Sequence, residues 1–200
     1  MVTEMGRNCA DSEPVPNSLR MPAIWAQSIV TQAKLQCDAV TLNHDDPAKA
    51  ARALIETATR AYLGSLAERN GGAPGSETFP FVSLVLPGRD GTGQPLLLLS
   101  DLSDHAKNLK RDPHASLLYD GTAGLAEPLT GARVTLIGRV MPADGPENRA
   151  LYLACQPSAQ GYAGFGDFHL YRFEIQEALL VAGFGRIHRL AGADLLSAVV

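Results

Sequence analysis

What this sequence lacks narrows its chemistry before any motif is read. Its 200 residues include one tryptophan and three cysteines, Cys9, Cys37 and Cys155. The cysteines lie far apart and form neither a C-x-x-C pair nor a Cys/His metal spacing, which argues against a disulfide scaffold or a structural zinc site. No apolar run approaches the roughly 20 residues that cross a bilayer. The opening MVTEMGRNCADSEPVPNSLR carries acids and prolines where a secretory leader would need an apolar core. Basic excess is absent too: 17 Lys and Arg against 21 Asp and Glu give a net charge of -4. A nucleic-acid groove and a polybasic membrane patch are therefore not expected, and cytoplasmic residence is.

What is present is the composition of a soluble globular domain, 46% hydrophobic and 19% charged, long enough for one core. Residues 1–45 mix Pro, Asn, Ser and Asp without a sustained period and read as an N-terminal extension, leaving 46–200 as the domain. The domain opens on Asp45-Asp46-Pro47, a cap followed by the proline that suits a first helical position. Ala51, Leu54, Ile55 and Ala58 then recur at helical spacing, which predicts an amphipathic helix of about four turns.

Beyond Tyr62 short apolar runs alternate with Gly/Pro/Asp clusters, the signature of strands. The expected strands are 61–67, 79–86, 95–100, 115–119, 132–141, 168–175 and 178–183. PGRDGTGQ reads as a hairpin loop that makes the second and third antiparallel neighbours. Helices are expected at 103–111 and 145–154, with a short one in ADLLSAVV. Too few helices separate the strands for a parallel sheet, so the expected class is mainly β with accessory α, a mostly antiparallel barrel.

The segment SDLSDHAKNLKRDPHASLLYD, residues 100–120, concentrates polar chemistry. Ser103 is a natural N-cap, and Asp112-Pro113 stops the helix. A helix start offers free N–H groups and partial positive charge, so Lys107, Ser100 and Asn108 can surround a phosphate there. The same residues also describe an ordinary capped surface helix, with Asp101 and Asp104 meeting the dipole themselves. Residue chemistry is compatible with both.

The ordered set FPFVSLVL, PLLLLSDLSDHAKNLKRDPHASLLYD, ARVTLIGRVMP and YAGFGDFHLYRFEIQEALLVAGFGRIHRL resembles the pyridoxamine 5'-phosphate oxidase-like FMN-binding split-barrel proteins, specifically their haem-utilisation, HugZ-like branch. The likeness runs from about Asp46 to about Leu196 and is most specific in S-x-L-x-x-H-x-x-N-L-x-x-D-P-x-x-S-L-L. It implies a six- or seven-stranded antiparallel split β-barrel and a homodimer with FMN in clefts between subunits. It also implies redox chemistry on a small or flat aromatic substrate. Ser83, Leu99, Ser100, His105, Lys107 and Asn108 fall where the family contacts FMN phosphate and ribityl, and Arg133 opens a strand that reaches the flavin. Two departures stand out: the oxidases usually have a glutamine at the place of Arg133, and FVSLVL lacks the arginine and lysine of their R-x-V-L-L-K strand.

A second constellation follows the last long strand, in Gly183-Phe184-Gly185-Arg186-Ile187-His188-Arg189. Period-two alternation puts Arg186 and His188 on one face of an extended segment, where a cation beside an imidazole can bind an anion or move a proton. The pair resembles the R-L-H segment at the substrate side of the oxidases' flavin. In some haem-degrading members histidines of C-terminal segments ligate iron, and the resemblance makes His188 the candidate ligand if haem is bound. Two alternatives to flavin redox chemistry therefore stand: haem binding with oxidative cleavage, and non-catalytic storage of flavin or haem. His114 and His169 read as structural, and Asp167 as a turn residue or an orienting carboxylate.

Overall fold

The computed structural model describes residues 46–68 and 77–198; the expected extension, 1–45, lies outside them. Helix α1, Pro47–Thr57, begins as its sequence dictates: Asp46 Oδ1 accepts from Ala48 N at 3.1 Å and Lys49 N at 3.2 Å. Its face of Ala50, Ala51, Leu54 and Ile55 is buried against the sheet, so the amphipathic period becomes a packing surface.

Among the described residues, eight strands form one antiparallel sheet. They are β1 Ala61–Glu68, β2 Thr78–Val85, β3 Pro87–Arg89, β4 Pro95–Ser100, β5 His114–Asp120, β6 Ala132–Pro142, β7 Phe168–Ala182 and β8 Ile187–Ala191. The order across the sheet is β2-β1-β5-β6-β7-β4-β3, with β8 on the end of β7. Thus β2 and β3 occupy opposite edges, yet only Leu86 separates them in the chain. Consecutive Cα atoms are about 3.8 Å apart, so the sheet must curl until its two edges meet at Leu86. There it closes without a β2–β3 ladder, as a split barrel.

This corrects the expected hairpin. The turn at 90–94 joins β4 to the short β3, pairing Pro87 with Leu97 and Arg89 with Pro95, whereas β2 pairs with β1 along its whole length. The apolar run 79–86 hid the edge switch because nothing in it breaks the β pattern before Pro87. Asp90 fixes the turn. Burial works to raise its pKa, but hydrogen bonds from Thr92, Arg172 and Gln94 outweigh that and hold it below the usual carboxylate value.

The two strands expected at 168–175 and 178–183 are one, β7. Its inward residues are Tyr171, Phe173 and Ile175, then Ala178, Leu180 and Ala182, so the alternation changes phase. The cause is a β-bulge: Ile137 pairs Glu177 and Gly138 pairs Ile175, leaving Gln176 as the extra residue. Gly138 is required there, because a Cβ would lie 2.0 Å from the Glu174 carbonyl oxygen.

The barrel interior is filled by Leu63, Leu97, Leu99, Leu117, Tyr119, Val134, Leu136, Phe173 and Leu180. Outside it, α3 (Pro146–Cys155) covers Leu96 and Leu170 through Tyr152. Strand β4 is therefore buried on both faces, which explains its unbroken LLLL. Helix α2, Asp104–Arg111, lies against β1, and α4, Gly192–Ser197, against α1 and β7.

Candidate ligand site

At the start of α2 the expected cap is present: Ser103 Oγ accepts from Ala106 N at 3.3 Å and donates to the Ser100 carbonyl at 2.6 Å. Two of the groups expected to hold a phosphate, Ser100 and Asn108, are engaged within the protein. Ser100 Oγ donates to Asp167 Oδ2 at 2.6 Å and accepts from Leu102 N at 3.2 Å, so its proton is committed to a carboxylate. Asn108 is 4% exposed and turned inward, its amide donating to Ser65 Oγ at 3.2 Å and accepting from Arg111 at 2.9 Å. Lys107 lies 3.6 Å from Asp104 on the exposed surface, and Lys110 pairs with Asp101 at 2.9 Å.

His105 is half-buried; desolvation pulls its pKa below the ordinary imidazole value, against an opposite pull from Asp104. It is neutral at pH 7 and adds no positive charge. Leu99 is 2% exposed and belongs to the barrel core. Ser83 Oγ is buried with no hydrogen-bond partner among the described residues. The helix start thus presents Asp101, Asp104 and Asp167 with two lysines already paired. A dianionic phosphate would meet carboxylates there, and these residues do not fit the FMN phosphate.

Arg133 lies elsewhere. It opens β6 across from Val181, and its Nη1 donates to the carbonyls of Leu129 and Gly131 at 3.2 and 3.3 Å. That places it beside the β7–β8 turn, where Gly183 and Gly185 have φ of 115° and 75°, conformations that favour glycine. The turn is closed by Arg186 N donating to Gly183 O and Ala182 N to Arg186 O. His188 follows on β8 opposite Leu180, half-buried. Its ring makes no hydrogen bond among the described residues, whereas His114 is tied to Asp112, and His169 lies between Asp144 and Asp101. Arg189 is taken by Glu177; Arg133 and Arg186 have no carboxylate partner among the described residues.

The structure therefore gathers Arg133, Arg186 and His188 at one end of the sheet and Ser100, His105, Lys107 and Asn108 at the other. Ser100 faces Phe168 and His188 faces Leu180, so register sets these two on different halves of β7. Asp167, read in the sequence as a turn residue or an orienting carboxylate, is the partner of Ser100; the 67-position gap between them hid the pair.

Over residues 42–195 the chain matches the family described as CREG, beta-barrel. It is 37% identical over 110 residues to the chloroplastic heme oxygenase HOZ of Arabidopsis thaliana, a match covering 54% of this chain and 33% of that protein. The heme oxygenase HutZ of Vibrio cholerae is 28% identical over 116 residues, covering 52% of this chain and 62% of that one. A heme-binding protein of Mycobacterium smegmatis is 29% identical with a TM-score of 0.67, covering 76% of this chain and 60% of its own. The chain thus spans less than two thirds of each of these three. Solved structures of the pyridoxamine-phosphate-oxidase type share its split-barrel fold.

Proposed function

The chain belongs to the CREG beta-barrel family, and from that premise we propose that it binds haem and acts in its oxidative breakdown, in the cytoplasm. The observation that carries this reading is His188, half-buried, free of hydrogen bonds among the described residues, and flanked by Arg186. An imidazole whose nitrogens make no hydrogen bond within the protein can ligate iron, and an unpaired guanidinium suits a propionate. The names of the heme-binding relatives point the same way. Iron chemistry comes with the bound haem; the chain's own residues hold and orient it.

The flavin-dependent oxidoreductase reading rests on the fold and on the 100–113 motif. The engagement of Ser100, Lys107 and Asn108 within the protein weighs against it.

A second copy belongs to the proposal. Val82, Leu84, Tyr62, Leu66 and Ile137 are exposed on the outer face of β1, β2 and β6, at 65, 59, 38, 37 and 42%. In register, Leu84 lies beside Tyr62 and Val82 beside Gly64, making one continuous apolar surface on these strands. A surface of this kind calls for a partner, and a homodimer through it would let each site draw residues from both copies.

Titration with haem tests the ligand assignment. The wild type should give a Soret shift that His188→Ala removes; an unchanged spectrum in the variant would refute the role of His188. Loss of haem absorbance with ascorbate as electron donor would separate breakdown from storage.

A further inference from the structure

At the end of the sheet that carries His188, two loops stand side by side. One contains the 3-10 turn Pro128–Thr130, the other is the turn 183–186. They touch: a Cβ on Gly183 would lie 3.0 Å from the Thr130 carbonyl oxygen, and Ala132 pairs with Ala182 at their base. Between them they expose Leu129 at 71%, Phe184 at 91% and Ile187 at 63%. Scattered exposed apolar residues are ordinary. Here Leu129 and Phe184 stand on adjoining loops with Ile187 at the start of β8, and two glycines of positive φ flank Phe184.

Charges of both signs stand around them: Arg133 and Arg186, and the exposed carboxylates Asp120 and Glu127. Arg133 keeps donors free beyond the two carbonyls it holds, and its register neighbour Asp120 is occupied by Thr122 N at 2.9 Å. Arg186 has no carboxylate partner among the described residues. On a chain of net charge -4, an apolar group thus stands beside two guanidinium groups that no carboxylate pairs among the described residues. It complements a ligand that is flat, aromatic and apolar over its faces and carboxylated at an edge.

We propose that these two loops form a clamp for the tetrapyrrole ring itself, with Phe184 and Leu129 covering its face, Arg133 and Arg186 meeting its carboxylates, and no requirement for iron. The proposal rests on the haem reading above and deepens it: ring recognition and iron ligation are separate contributions made by neighbouring residues.

The experiment compares haem with iron-free protoporphyrin IX on the full chain, by absorbance and by porphyrin fluorescence. Protoporphyrin should bind within about tenfold of haem, and Phe184→Ser should weaken both by about tenfold, the size of one lost aromatic contact. Arg186→Gln should also weaken both. His188→Ala should weaken haem and leave protoporphyrin unchanged. Phe184 is so exposed that its replacement leaves the fold intact, which circular dichroism checks. Haem binding without protoporphyrin binding, or equal affinities in wild type and Phe184→Ser, would overturn the clamp and leave the haem reading standing. Protoporphyrin binding that depends on Phe184, with haem insensitive to His188→Ala, would support the clamp and remove the iron ligand. Failure of both ligands to bind would overturn both.

Discussion

Single side chains decide how the α2 segment behaves. Burial of His105 disfavours its charged form, so its folded pKa lies below the unfolded value of 6.5. Between those values the unfolded chain binds more protons, and stability rises with pH. The stabilisation attached to a neutral His105 is complete above about pH 6.5 and is lost as pH falls toward the folded pKa. The thermal midpoint of the wild type should therefore fall on going from pH 7 to 5 more than that of His105→Gln; parallel curves would show that His105 does not titrate this way. Legibility at this scale followed sequence distance. The Ser103 cap could be read because its partner is three residues away. Asn108 could not, because its partner Ser65 is 43 positions earlier, and the side chain that looked available to a ligand is spent on packing α2 to β1.

At the level of elements, β5 and β6 were close to their sequence outlines because each keeps one alternation from end to end, and β4 because its unbroken apolar run ends at Pro95 and Ser100. Strand β7 was split in the sequence reading because the bulge at Gln176 reverses which parity is apolar, and a reversal of phase looks like a break. Strand β8 went unseen, since IHRLA buries no full face. Helix α3 was legible, but its task was not. Tyr152 is 2% exposed, donates to the Leu86 carbonyl at 3.0 Å, and lies so close to Gly88 that a Cβ there would come within 2.7 Å of its ring. Gln156, just beyond the helix, donates to the Pro87 carbonyl at 2.9 Å and that of Thr59 at 3.2 Å. Together they pin the point where the barrel closes. Tyr152→Ala should cost about 3–5 kcal/mol, the range for emptying a large aromatic site, read from denaturant unfolding. A loss under about 1 kcal/mol would mean that α3 is not what secures the seam.

For the molecule as a whole, the sequence carried the antiparallel class and the two polar constellations, but not their separation, which only strand length and register determine. Sedimentation should find a dimer, and Val82→Asp should give a monomer with unchanged circular dichroism, since Val82 is already exposed in one copy. A dimer that survives this charge would place the interface elsewhere. The separation predicts in turn that monomeric variants keep the Arg133–Arg186–His188 end intact within each chain.

The single-residue link between β2 and β3 also governs how the chain meets its neighbours. Edge strands are templates for another polypeptide, and here the two edge strands of the described sheet are held beside each other by one covalent step at Leu86. A circular permutant with its new ends at that residue would retain every strand pairing yet release both borders. Loss of that tether would be felt first as self-association through strand exchange and only afterwards as unfolding.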